Sequence, residues 1–177
     1  MQKQLAFFLL LPVFAAIAFS ACKKEDKTEQ ELITTIELHF TGQNNFNQKF
    51  YWRDLDGDGG AAPSIDTIVL APNAVLNCFA HVYDESKNPK VDITEEIEAE
   101  SAEHLFIYDP TTNVVAITSN SVDSNGNAFR ISTEWTTTAA GTGSVRVRLM
   151  HESDKSAADP GATGETDFDV TFPVVVR

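Results

Sequence analysis

Apolar and polar residues alternate in short runs along the chain from residue 32 to its end. In Leu32–Phe40, for example, the apolar positions Leu32, Ile36, Leu38 and Phe40 share one parity. A period of two is typical of a strand with one buried face. Runs of this kind occupy residues 32–40, 46–52, 65–70, 75–83, 105–108, 114–118, 129–135, 144–151 and 168–176.

Turn-forming residues separate these runs. Asn125-Gly126 is a strong signal for a two-residue hairpin, and Asp159-Pro160-Gly161 marks another turn. About nine short strands with regular punctuation predict an all-β fold, an immunoglobulin-like β-sandwich over residues 32–177 as a single domain. A β-barrel is the alternative architecture.

One segment departs from the alternation. Residues 93–104 are rich in glutamate and in helix-forming residues, and Asp92 with Glu95 could form a capping pair at the segment's start. We expect a short acidic helix here, or an irregular crossover between the sheets.

The N-terminus has the features of a secretory signal. Lys3 precedes an apolar run, Leu5–Phe19, which is shorter than the roughly 20 residues of a membrane span. Small residues then precede Cys22, and this junction resembles the lipobox of bacterial lipoproteins. The resemblance implies removal of residues 1–21 as a signal peptide and attachment of lipid to Cys22, which anchors the chain to a membrane.

Residues 22–31 are polar after the cysteine and predict a flexible tether. Residue 23 is not aspartate, so an inner-membrane retention signal is missing from that position. Lys24-Glu25-Asp26 resembles a signal that exports lipoproteins to the surface of the outer membrane. We therefore expect an outer-membrane, surface-exposed protein, with a periplasm-facing domain as the alternative.

Charge and cysteine content narrow the function classes. The formal net charge of −13 argues against nucleic acid and anionic lipid head groups as partners. Because Cys22 is assigned to lipid, Cys78 has no partner for a disulfide. Its strand parity matches that of apolar neighbours, so we interpret it as a small core residue.

The most distinctive motif is the run of alternating aspartates in residues 54–60. Asp54, Asp56 and Asp58 match the first half of a calcium loop, since closely spaced carboxylates converge on a hard cation and glycine allows the sharp turn. The twelfth position is Ile65 instead of glutamate, so the loop is not an EF-hand. Asp66 is the nearest candidate for a further ligand. A polar hairpin loop without an ion is the other interpretation.

Histidines offer a second candidate chemistry. The four histidines show no H-x-H or H-x-x-x-H spacing, so a zinc or copper site would have to assemble in three dimensions. Glu103 and His104 are the first candidates for it. The chain contains no recognisable catalytic motif, and we expect a protein that is not an enzyme.

Several short segments of the sequence together resemble those of a family of small outer-membrane lipoproteins. They are Glu31–Thr35, Asp54–Gly60, Asp84–Ser86, Ile93–Ile97, Glu103-His104, Gly164–Asp167 and Phe172–Val174. The resemblance implies an accessory of TonB-dependent uptake, that is, a non-catalytic binding protein that captures a nutrient or metal for an outer-membrane transporter. A structural or adhesive surface module braced by calcium is the alternative function.

Overall fold

The computed structural model describes residues 32–57 and 59–177. The predicted signal peptide, the tether with Cys22, and Asp58 of the aspartate loop lie outside the described residues. The strands are β1 Thr35–Gly42, β2 Asn47–Arg53, β3 Ser64–Ile65, β4 Ile68–Leu70, β5 Val75–Asp84, β6 Val91–Asp92, β7 His104–Pro110, β8 Val115–Ser119, β9 Ser132–Thr137, β10 Gly141–His151 and β11 Glu165–Val176. Within the described residues there is one short helix, α1, which spans Thr94–Ala99, and 3-10 turns span Gln43–Asn45 and Pro160–Ala162.

Two sheets form a sandwich, which confirms the all-β prediction. The larger sheet has the order β3-β2-β1-β5-β9-β8, with β6 paired to the end of β5. The smaller sheet has the order β4-β11-β10-β7, in which only the β4–β11 pair is parallel. The finer immunoglobulin-like assignment stays a prediction.

The core lies between the sheets and follows the period-two pattern of the sequence. From the larger sheet, Ile36, Leu38 and Phe40 of β1 face inward and are fully buried. From the smaller sheet, alternate residues of β10 meet them. Trp135 is fully buried at the centre, and its ring meets that of Phe40 edge-on at 4.9 Å between centroids. The alternate positions of β1 and β5 therefore point away from the core, onto the outer face of the larger sheet.

The structure differs locally from the sequence prediction at the acidic helix, the first strand and the Asn125-Gly126 turn. The predicted acidic helix is present as α1, whose Ile97 is buried, but it ends at Ala99. The predicted capping pair of Asp92 with Glu95 is wrong: Ile93 is the N-cap residue, and Asp92 accepts a hydrogen bond from the Thr94 amide at 2.9 Å. The first strand was predicted over residues 32–40 but begins at Thr35. Leu32 precedes the paired region and is 54% exposed, so it does not contribute to the core.

The predicted Asn125-Gly126 hairpin is a turn closed by a single bridge, between Val122 and Ala128, instead of a pair of strands. Gly126 has a φ of 84°, the left-handed conformation that favours glycine in such turns. The buried Asp123 carboxylate organises this turn by accepting hydrogen bonds from the Asn125 and Asn127 amides, each at 2.9 Å.

Candidate functional site

The predicted calcium loop uses its described carboxylates for local hydrogen bonds. Each of the three accepts one from a backbone amide: Asp54 from Gly57 at 3.0 Å, Asp56 from Ala61 at 2.8 Å and Asp66 from Tyr51 at 2.9 Å. Within the described residues, these carboxylates do not form a set of three ligand atoms within 4.8 Å. Because Asp58 lies outside that range, calcium binding by the loop stays a prediction.

A cluster of potential metal ligands lies instead on the outer face of the larger sheet. Glu37 and His39 occupy alternate positions of β1, so their side chains share that face. In the antiparallel register of β1 with β5, His81 lies directly opposite Glu37. One ligand atom from each of these three residues lies within 4.8 Å of the other two. The sheet register thus creates a cluster of two imidazoles and one carboxylate, which we call the sheet-face site.

Glu37 is the buried member of the sheet-face site. Its side chain is only 3% exposed, and Lys49 Nζ lies 2.8 Å from its Oε1 without the alignment of a hydrogen bond. Burial alone would raise the pKa of Glu37, but contacts with Lys49 and with the Tyr51 hydroxyl outweigh it, so the pKa lies below its ordinary value. The carboxylate is therefore charged at neutral pH and faces a cation.

The two histidines are half-buried and are held by different neighbours. His39 Nε2–H donates to Asn47 Oδ1 at 2.8 Å, which leaves the lone pair of the neutral ring on Nδ1. His81 packs against Phe79 with 4.7 Å between ring centroids, and stacks on Tyr83 at 6.2 Å. Burial lowers the pKa of His81, against the opposite effect of Glu37, so this ring is neutral at pH 7.

This donor set favours a particular class of ion. Neutral imidazole nitrogens with one carboxylate oxygen suit zinc and other divalent transition metals, whereas calcium prefers oxygen ligands alone. The Asn47 contact with His39 resembles the outer-shell hydrogen bonds that orient metal-binding histidines. An ion bound here would displace the Lys49 ammonium, whose side chain is 45% exposed and can rotate into solvent.

The candidate transition-metal ligands predicted from sequence, Glu103 and His104, lie elsewhere. His104 begins β7 in the smaller sheet and Glu103 precedes it, but the two side chains contact different partners. His104 Nε2 lies 3.9 Å from Asp167 Oδ2, while Glu103 Oε2 lies 3.6 Å from His151 Nε2. Glu103 and His104 are therefore brought together with two residues that sequence analysis did not join to them.

Sequence reasoning did not identify the sheet-face site. Glu37 and His39 occupy alternate positions of a predicted strand, so the sequence alone places their side chains on one face. The contribution of His81 depends on β1 pairing with β5, and on a register that sets residues 37 and 81 opposite each other. The only available signal was a histidine at an outward-facing position of a second predicted strand.

Comparisons with protein-family models, with curated proteins and with solved structures found no match. Within residues 32–57 and 59–177, no helix has the length and apolar character needed to cross a membrane.

Proposed function

We propose that this chain is a lipid-anchored protein of the cell envelope that binds a divalent transition-metal ion at the sheet-face site. Its role is non-catalytic, as an accessory that captures a nutrient metal for an outer-membrane uptake system. The observation that supports it is the convergence of Glu37, His39 and His81, with ligand atoms within 4.8 Å of one another.

The position of the site favours reversible capture. It lies on the outer face of a sheet, and His39 and His81 are half-buried, so an ion can reach their ring nitrogens from solvent. Lys49 neutralises Glu37 when no ion is bound, which keeps the buried carboxylate stable in the empty protein. Binding then exchanges one cation for another, and release reverses the exchange.

The anchor and the acidic composition support the proposed location and partner. A lipid on Cys22 and the tether of residues 22–31 would hold the domain near the membrane, within reach of a TonB-dependent transporter. A net charge of −13 attracts cations towards the domain from a distance.

Calorimetric titration of the chelator-treated full-length chain with Zn²⁺ tests the binding proposal. We expect His81→Gln and His39→Gln each to weaken binding at the sheet-face site by at least about tenfold, because outer-shell changes alone cost about 10- to 100-fold at metal sites. Glu134→Gln is the matched control, since Glu134 is an exposed carboxylate on β9 of the same sheet. Binding that is unchanged in both histidine variants would contradict the proposal.

The uptake role needs a test in cells. Cells that lack the chain should accumulate less zinc under zinc limitation than cells that carry it, and the His81→Gln chain should not restore accumulation. The Glu134→Gln chain should restore it fully. If the His81→Gln chain restored zinc accumulation, the role of the protein in uptake would not depend on metal binding at the sheet-face site, and the proposed function would be contradicted.

A further inference from the structure

A cavity of about 480 Å³ is lined by residues of both sheets. On the side of the larger sheet its wall is formed by residues 32–34 before β1, by Trp52 near the end of β2 and by the start of the following loop. On the side of the smaller sheet the wall is formed by residues 167–170 of β11. Pockets that hold small molecules typically measure about 300–1,000 Å³. This cavity, which we call the β11 cavity, is therefore large enough for a small organic ligand.

Asp167 reaches the wall of the β11 cavity through an irregularity in the strand pairing. The pairing of β10 with β11 shifts register between Leu149 and Met150, which leaves Asp167 as an extra residue without a partner on β10. A bulge of this kind re-aims a side chain. The Asp167 side chain is only 9% exposed. The bulge thus places a nearly buried carboxylate in the cavity wall.

The Asp167 carboxylate lacks a hydrogen bond that its burial requires. Its Oδ2 is buried and accepts no hydrogen bond in the described part of the chain. His104 Nε2 lies 3.9 Å from this oxygen, and it carries the lone pair when Nδ1 donates to the Glu100 carbonyl at 3.2 Å. Buried polar atoms without partners are rare in folded proteins and require an explanation. A donor on a ligand in the cavity provides one.

The surroundings of Asp167 favour a donor that carries a positive charge. Burial raises the pKa of Asp167 to about 6, an effect that His151 opposes and Glu165 reinforces. The carboxylate is therefore ionised at pH 7.5, although it has no strong counter-charge beside it. A buried charge without a partner costs free energy, and a cation at the carboxylate would recover part of that cost.

The rest of the wall suits a cation with an apolar body. Trp52 lines the cavity, and its indole is the side-chain ring that attracts cations most strongly. Leu32 is 54% exposed, so contact with a ligand would remove apolar surface from water. Asp54 adds a second carboxylate, whereas the third, Asp169, is already paired with Arg146. Among the described residues that line the cavity there is no lysine or arginine.

We propose that the β11 cavity binds a small organic cation, an ammonium or guanidinium ion with an apolar body. Its charged group would lie at Asp167 and its apolar body against Trp52 and Leu32. A bare metal ion fits this cavity less well, because the described carboxylates Asp54, Asp167 and Asp169 do not bring three ligand atoms within 4.8 Å of one another. The inference uses residues outside the sheet-face site and does not depend on the proposed function.

Calorimetric titration of the full-length chain with 2-phenylethylammonium tests the inference. The measurement is made in phosphate buffer at pH 7.5, which contains no competing organic amine. We expect one ion bound per chain with a Kd below about 1 mM, which requires only a modest share of the binding energy per atom that small ligands reach. The neutral analogue 2-phenylethanol has nearly the same shape, and it should bind at least about tenfold more weakly because its hydrogen bond to Asp167 is not charge-assisted.

Two substitutions test the two parts of the site. Asp167→Asn keeps the shape of the side chain and removes its charge, so it should weaken binding at least about tenfold. Trp52→Leu removes the ring and should weaken binding about threefold or more. It should also abolish the ligand-dependent change in tryptophan fluorescence, because the other tryptophan of the chain, Trp135, is fully buried. Glu134→Gln is the control, since it removes an exposed carboxylate on β9 and should leave binding unchanged.

The inference would be overturned by no measurable binding of 2-phenylethylammonium, by equal affinity for 2-phenylethanol, or by an affinity that neither Asp167→Asn nor Trp52→Leu changes. Far-ultraviolet circular dichroism checks that each variant is folded. Because each substitution tests the cavity independently, poor folding of one variant leaves the other decisive. The result is also separate from the sheet-face site, since His39→Gln and His81→Gln should not alter binding of the organic cation.

Discussion

Lys49→Met separates the role of Glu37 in metal binding from its role in stability. The substitution keeps an apolar stem of similar length and removes the ammonium 2.8 Å from Glu37 Oε1. Of the neighbours that lower the pKa of Glu37, only Tyr51 and His81 then remain. We expect the metal-free variant to be less stable than the unmodified chain and to depend more on metal.

The expected loss of stability in Lys49→Met follows from the burial of the Glu37 carboxylate. A buried acceptor that loses its partner costs about 1–3 kcal/mol, and more when it is charged. Lys49 is 45% exposed, so water screens part of the interaction. We therefore expect a loss of about 1–3 kcal/mol. This corresponds to a fall in Tm of about 2–12 °C, because 1 kcal/mol shifts Tm by about 2–4 °C at this size.

Zinc should reverse that loss. An ion at 100 times its Kd stabilises the folded state by about 2.7 kcal/mol. In the unmodified chain, part of this stabilisation by zinc is lost because the ion must displace Lys49 from Glu37. That displacement costs about 0.2–1 kcal/mol, the value of a partly exposed ion pair. The zinc-induced rise in Tm should therefore be larger in Lys49→Met than in the unmodified chain.

Thermal unfolding at pH 7.5, followed by circular dichroism with and without Zn²⁺, measures both effects. Lys49→Arg is the control, because it retains the positive charge and should retain the unmodified stability. A Lys49→Met chain that is destabilised while its zinc-induced shift is no larger than that of the unmodified chain would refute the reasoning, since Glu37 would then not be a ligand.

Three further predictions concern pH, the core and the free thiol. Hydrogen bonding from Lys155, stronger than the opposing effect of burial, lowers the pKa of Asp123 below 3.8, so this pair's contribution is complete above pH 3.8 and is lost as pH falls through the lowered pKa. Lys155→Met should thus cost about 3–5 kcal/mol at pH 7 in urea denaturation, and this cost should decrease as pH is lowered below 3.8. A cost that does not change over that pH range would contradict the assignment. Trp135→Ala should lower the free energy of unfolding by about 3–5 kcal/mol. The reason is that the Trp135 ring is fully buried and its Nε1 donates a hydrogen bond to Thr133 at 3.0 Å. A loss below about 1 kcal/mol would argue against a central position of Trp135 in the core. Cys78 is buried and desolvation raises its pKa, so a thiol reagent should modify it only at the rate of unfolding; fast modification in the folded chain would show that β5 opens.

Much of the fold could be predicted because strand alternation is local. The inward positions of β1 and β10, the buried Cys78 and the acidic helix all follow from the identity of residues within a few positions of one another. Errors arose where pairing decides the outcome. Leu32 has the parity of the core but precedes the paired region, and Asn125-Gly126 forms a turn whose flanks are joined by one bridge.

The candidate sites depend on contacts between distant parts of the chain. Sequence alone determined that Glu37 and His39 share a face, because alternate residues of a strand point to the same side. Only the tertiary structure decided that His81 lies opposite Glu37, and that a bulge in β11 turns Asp167 into the wall of a cavity that Trp52 also lines. Register between strands is set by the packing of both sheets on the core, and a shift of one residue would move every side chain to the other face. Local patterning therefore determined the faces, while the packing of the sandwich determined which residues meet on them.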